Sequence, residues 1–307
     1  MANTIFEPQT ASKIVLEALR LSSILPRTVC QDVEEDFVEG RGATVNVRGP
    51  ITTTARIYGQ AERTADAVIQ YSDLTQPYVP VTLDKQVYSA VKLPDLWAST
   101  NLDDLASKVF IPQAQAVVEQ VATPLTDEMQ KTRAVKSDGS AGLVDKTNTS
   151  ALKFGANPDD AIGTIVKLRT VLNKRKVPQS NRVLAVGSDI ADIIQRIPNL
   201  NKVNEAGDGD ALHEAIILRL KGFTIVEALD LPDKMAVAYE KYAYASVVRA
   251  PRIPEGAPYG VNLIQDGYGL RHIMGYDPSR LRDQSVVDAF SAAATLSEDR
   301  AVAISLA

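Results

Sequence analysis

The sequence predicts an α+β fold with two unlike halves: an extended first half built on a long hairpin and a long helix, and an α/β core behind it. Three observations carry that prediction. Apolar side chains fill six of the eight alternate positions from Val79 to Leu93, the period of a strand. A helical stripe runs from Leu102 to Met129, with its apolar residues on one face. Beyond residue 155, helix-like and strand-like segments follow one another, as they do in layered α/β structures.

Taken in order, residues 11–25, "ASKIVLEALRLSSIL", place Ile14, Val15, Leu16, Ala18, Leu19 and Leu21 at helical intervals, and Pro26 ends the pattern. This predicts a short N-terminal docking helix. The stretch "GATVNVRGPITTTARIYGQ" is rich in β-branched residues and reads as strand. A polar stretch, "AERTADA", separates it from the 79–93 alternation, which only Lys85 and Ser89 break. Fifteen residues in one register extend roughly 50 Å, far beyond an ordinary strand. Pro77 and Pro80 suit an edge.

Thr100 with Asp103 resembles a helix-opening pair. The stripe that follows spans about thirty residues, roughly 45 Å of helix, which Pro112 and Pro124 should bend or interrupt. A long hairpin beside a long helix describes a flat subunit that finds its burial in neighbours. The polar loop 136–150 marks a boundary. Asn157-Pro158 then opens a helix as N-cap and first turn. A strand over 182–186 and a helix over 188–196 follow, with Ser188 at the cap position. A helix over 211–220 is expected to end at Gly222. "FTIVEA" and "MAVAYE" read as strands around an "LDLPDK" turn, and "GYGLRHIMGYD" and "SVVDAFSAAATL" as strands returning to the first half.

The bulk numbers narrow the function. With 307 residues, 45% of them hydrophobic, the chain has core material for about two domains. A net charge of −5 argues against a general polyanion binder, which normally carries a basic stripe. Cys30 is the only cysteine, which excludes an intrachain disulfide and a multi-cysteine zinc site. The opening residues lack the basic-then-apolar order of a secretory signal, and no apolar run approaches the roughly 20 residues of a spanning helix. A soluble protein made in a reducing compartment, with no membrane partner, is expected.

No motif assembles a catalytic set. "RVLAVGSDIADII" (182–194) runs from strand through Gly187 into a helix start, the layout of many phosphate cradles. It has one glycine and no lysine, short of either nucleotide fingerprint, so it reads as a turn whose Ser188 and Asp189 serve the helix cap. His213 and His272 are 59 positions apart without a zinc-protease pattern. The acidic runs "DVEEDF" and "GDGD" (Gly207–Asp210) lack ligand spacing. Tyr239, Tyr242, Tyr244, Arg249 and Arg252 crowd one segment. That crowding fits base stacking or a protein interface, and the net charge favours the interface. Neither catalytic residues, cofactor nor metal is expected.

The order of parts resembles a known family. "MANTIFEP" with "LPRTV", "VPVTLDKQVYSAVKLPD", "IPQAQAV", and above all "LNKRKVPQSNRVLAVGSDIADII" through "ALHEAIILRLKGFTIVEALDLP" are similar to the major capsid (coat) proteins of tailed bacteriophages. The similarity is to the branch resembling the coat protein of short-tailed Salmonella phages. It covers nearly the whole chain.

The resemblance implies the Hong Kong 97-like capsid fold. Its parts would be an N-arm (1–26), a peripheral domain (27–150) with an extended E-loop (about 44–90) and a spine helix (about 100–133), an axial domain (151–250), and a return to the peripheral sheet (251–307). It implies a structural protein that self-assembles as hexamers and pentamers into an icosahedral head around double-stranded DNA, touching that DNA only non-specifically. Scaffolding, portal and decoration proteins would be its further partners. Its place would be the virion, after assembly in the host bacterial cytoplasm. An encapsulin-like compartment shell shares the fold, and an α/β enzyme on 155–250 is the rival from another class.

Two departures bear on the family pattern. The chain is too short for the extra domain of larger members. No lysine lies between Gly49 and Asp84, where crosslinking members carry the one that forms their isopeptide bond. Inter-subunit contacts are therefore expected from Arg56, Glu62 and Arg63 in the E-loop. Asp208 and Asp210 are expected at the axial tip, where symmetry mates meet.

Overall fold

Two sheets and one broken helix organise the molecule. The computed structural model describes residues 24–32, 43–48, 53, 55–71, 73, 78–94, 109–140, 142–197, 216–265 and 268–306. The predicted helix 11–25 lies almost wholly outside them. So do the Thr100–Asp103 opening, most of "DVEEDF", His213, and Asp208 and Asp210 in the 207–210 loop.

The strands are β1 (Thr44–Arg48), β2 (Tyr78–Thr82), β3 (Lys85–Pro94), β4 (Ala134–Val135), β5 (Leu143–Val144), β6 (Lys153–Phe154), β7 (Arg182–Val186) and β8 (Ile216–Leu220). They continue with β9 (Phe223–Glu227), β10 (Met235–Glu240), β11 (Tyr244–Arg249), β12 (Tyr259–Gln265), β13 (Tyr268–Asp277), β14 (Arg282–Thr295) and β15 (Ala301–Leu306). The helices are α1 (Leu25–Thr28), α2 (Gln60–Thr64), α3 (Ile111–Val121), α4 (Thr123–Lys131), α5 (Pro158–Lys174) and α6 (Ser188–Gln195).

One sheet runs β5-β4-β15-β10-β7-β9-β8, with β6 alongside β15. Its strands are apolar on both faces, as a covered sheet requires. Leu184, Val186, Ala236 and Ala238 face α5 and α6, whose Ile165, Leu168, Leu172, Ile190 and Ile194 are fully buried there. Val183, Ala185, Val237 and Tyr239 face α1 and α4 through Leu25, Leu125 and Met129. The second sheet runs β11-β14-β13-β12, with β3 on the other edge of β14. α3 covers it, placing Ala114, Val117, Val118 and Val121 on Leu270, Val287 and Ala289.

The predicted long helix thus spans both cores, and its interruption has a cause. Pro124 has no N–H to continue the ladder, and the helix breaks at Ala122 between α3 and α4. The break lets α3 follow one sheet and α4 the other. Ser291 Oγ on β14 donates to the Val121 carbonyl at 2.8 Å and fastens the joint.

Several expectations change. The fifteen-residue register divides at 83–84, so β2 pairs with β1 while β3 joins β14. The inward alternation itself holds in both strands, with Val79, Val81, Val87, Val91 and Leu93 turned in. Residues 216–220 form a strand rather than the end of a helix. Leu220 pairs with Phe223, and Lys221 and Gly222 take φ of 50° and 89°, the left-handed pair of a two-residue hairpin turn. Gly222 serves that turn, not a helix end.

The last strand, Ala301–Leu306, lies in the eight-stranded sheet between β10 and β4, while β12, β13 and β14 belong to the second sheet. The α6 cap is Gly187, with Ser188 already in the helix and no side-chain cap bond.

Candidate assembly surface

The turn at Gly187 is structural. A Cβ there would lie 2.3 Å from the Pro232 carbonyl oxygen and 2.7 Å from that of Asp233. The glycine lets the 232–235 turn cross the strand end, where Gly187 N–H donates to the Met235 carbonyl at 2.9 Å. The space a phosphate would need is filled by backbone.

A buried polar set on the second sheet resembles catalytic machinery more closely. His272 Nε2 lies 3.1 Å from Ser285 Oγ, which donates to Gln113 Oε1 at 2.8 Å. The ring nitrogen therefore donates to the serine. Ser285 is wholly buried and its proton is committed, so it offers no nucleophile. Burial holds the His272 pKa down to about 4, and Phe110 packs edge-on at 4.6 Å. The set is a satisfied core network that joins α3, β13 and β14. Sequence spacing gave no hint of it, because its members meet only through strand pairing.

The tyrosine cluster does not form a stacking face. Tyr239 and Tyr244 are fully buried, and only Tyr242 is exposed. Cys30 is buried against β11, with its thiol pKa raised by burial. Among the described residues, no group of three His, Cys, Asp or Glu is placed to hold a metal ion. No helix among them is long and apolar enough to cross a membrane.

What stands out is the segment between β1 and β2. From Ala55 to Tyr71 the chain folds on itself without a core. Glu62 Oε2 accepts the Gly59 N–H at 2.9 Å to open α2. Tyr58 Oη donates to the Ala67 carbonyl at 2.9 Å, and Arg56 Nη1 donates to Gln70 Oε1 at 2.6 Å. Two of the three predicted contact residues there, Arg56 and Glu62, thus hold the loop's own shape, and Arg63 is exposed.

The apolar side chains carry the stronger signal. Ile57 is 91% exposed, Val68 87% and Tyr71 93%, so three large apolar side chains within one short segment are left without burial in the subunit. Sequence reasoning looked for charges and passed over them. The signal was available in the β-branched and aromatic residues of "TARIYGQ" and "AVIQY". The loop is anchored at its root, where Val45, Val81 and Leu83 pack on Ala245, Val247 and Ala292.

No family model and no curated protein matches the chain. Solved structures do. A structure from Mycobacterium phage Che8 superposes with a TM-score of 0.62 at 17% identity, covering 92% of this chain and 91% of that one. The capsid of Ralstonia phage GP4 gives 0.58 at 8% identity, over 94% and 92%. A virus-like particle from Pyrococcus furiosus gives 0.51 at 11% identity, over 96% and 98%. The chain has the Hong Kong 97-type capsid fold, an α+β fold.

Proposed function

We propose that the chain is a major capsid protein of a tailed bacteriophage, a structural subunit that self-assembles into the icosahedral head enclosing double-stranded DNA. The exposed apolar loop tip on a capsid fold is the observation that carries this. Burying a side chain such as Ile57 or Tyr71 is worth about 1.5–3 kcal/mol. In a closed shell every subunit both gives and receives that contact. In this reading residues 44–90 serve as E-loop, α3 and α4 as spine helix, and the α5–α6 sheet as axial domain, with residues 1–26 as N-arm. The likeness of its sequence motifs to the coat protein of short-tailed Salmonella phages supports that branch. Scaffolding, portal and decoration proteins are its further partners, the virion its place, and the host bacterial cytoplasm its site of assembly. It performs no catalysis.

Sedimentation and electron microscopy of the expressed chain test this, with scaffolding protein added where needed. Shells, sheets or tubes are expected. The triple variant Ile57→Ser, Val68→Ser, Tyr71→Ser should keep the subunit folded, since none of the three touches its core, yet remain unassembled. Assembly that survives all three changes would sink the loop's role. The likeness to the Pyrococcus particle favours a compartment shell as the second reading, and protein cargo in place of DNA within the shells would select it.

A further inference from the structure

The chain is acidic overall, yet one stretch of it carries positive charge alone. Residues 161–188 hold six lysines and arginines and no aspartate or glutamate. They take in α5 after its opening Asp159 and Asp160, and all of β7. Ile165, Leu168, Val171 and Leu172 bury the inner face of α5, leaving Lys167, Thr170, Asn173 and Lys174 exposed outside. The β8–β9 turn adds Arg219 and Lys221, both exposed. It lies against the helix, because a Cβ on Gly222 would sit 3.7 Å from Arg169 Nε.

Some of these charges have structural work. Lys174 Nζ donates to the Gly139 carbonyl at 2.6 Å, and Arg175 donates to the Asp299 and Ala301 carbonyls. Buried Arg182 donates to the Val177 and Pro178 carbonyls. Lys167, Arg169, Lys176, Arg219 and Lys221 form no ion pair with any described residue.

We propose that this face, α5 with the β8–β9 turn, is a binding surface for the phosphate backbone of nucleic acid. The proposal rests on the shell reading for its source of polyanion, the enclosed double-stranded DNA. A protein partner fits less well. Val166, at 42% exposed, is the one large apolar side chain exposed on α5, whereas protein interfaces are centred on apolar and aromatic anchors. Lys167 is followed about one and two turns along the helix by the polar Thr170 and Asn173, both exposed. That pattern suits phosphates, which Lys, Arg, Thr and Asn side chains contact without reading sequence. A local field of this kind acts although the whole chain is negative.

The test measures anisotropy of a short labelled duplex with unassembled chain across salt concentration, and follows assembly of the same preparations by sedimentation. Five phosphate contacts give a slope of about −4.5, so tripling the salt weakens binding about 140-fold. Lys167→Gln with Arg169→Gln and Lys221→Gln leaves two contacts, a slope of about −1.8 and only about a 7-fold loss. Lys92→Gln with Lys153→Gln and Lys234→Gln removes equal charge elsewhere and should keep the wild-type slope. If the first triple variant proves unfolded by circular dichroism, the exposed pair Lys167→Gln and Lys221→Gln should still lower the slope by about 1.8. Absence of salt-dependent binding by the wild type, or equal slopes in both triple variants, overturns the proposal. So does a first triple variant that binds DNA normally but no longer assembles, since the face would then contact other copies. Salt-dependent binding through this face by a chain that never assembles would overturn the shell reading alone.

Discussion

Replacing Gly187 with alanine tests the reading of the strand–turn–helix junction. The added Cβ would sit 2.3 Å from the Pro232 oxygen and 2.8 Å from the Asp233 carbonyl carbon. Relief needs close to an ångström of backbone movement. The 232–235 turn cannot yield freely, because Met235 N–H is bonded to the Pro232 carbonyl and Gly187 N–H to the Met235 carbonyl, both at 2.9 Å. Both neighbouring strands are buried. Forced overpacking of this kind costs about 3 kcal/mol, which lowers the melting temperature of a chain of 307 residues by roughly 5 °C.

Gly163 is the internal control, since it lies on α5 with nothing within 4 Å of an added Cβ. Gly163→Ala should instead stabilise by about 0.5–1 kcal/mol. Urea unfolding of the unassembled subunit reads both. A Gly187→Ala variant within about 0.5 kcal/mol of wild type would refute the argument that backbone crowding selects this glycine.

Three further outcomes follow from the same structure. Burial lowers the His272 pKa from 6.5 to about 4, so the unfolded chain binds the extra proton first as pH falls. Up to about 3 kcal/mol of stability, complete above pH 6.5, should drain away toward pH 4, and pH-dependent unfolding of His272→Gln should show a flatter profile across that window. Asp288 is buried beneath Arg271, which donates to its two oxygens at 2.9 and 2.6 Å. Arg271→Ala should therefore cost about 3–5 kcal/mol in urea unfolding, while replacing both residues with apolar ones should cost much less. With no lysine between Gly49 and Asp84, boiled and reduced shells should run as one band near 33.2 kDa on a denaturing gel, and a ladder of covalent multimers would overturn that expectation.

The parts legible in the sequence are those whose partners lie nearby in the chain. The run from Arg182 to Gln195 could be read because a buried strand, a glycine and an amphipathic helix are each local signals. The strand at 216–220 could not. "AIILRL" suits a buried helix face as well as a strand, and a left-handed glycine closes either. What decides is Phe223–Glu227, which pairs back across the Lys221–Gly222 turn. The last strand, "AVAISL", shows no alternation because both its faces are covered, by α5 on one side and α4 on the other. Periodicity cannot report such a strand.

The candidate surfaces were hidden for a different reason. Arg56 and Glu62 drew attention as charges, but a charge can be satisfied within its own loop, and both are. Arg271 and Asp288 are 17 positions apart and meet only because β13 pairs with β14. The composition averaged the basic face of α5 with acidic segments elsewhere, so a net charge of −5 concealed a local excess of the opposite sign. Ile57, Val68 and Tyr71 look like ordinary strand residues until the fold leaves them without a core to enter. A subunit whose burial is completed by its neighbours carries its functional signal as apolar surface left over after folding. That remainder becomes visible only once every intramolecular contact has been assigned.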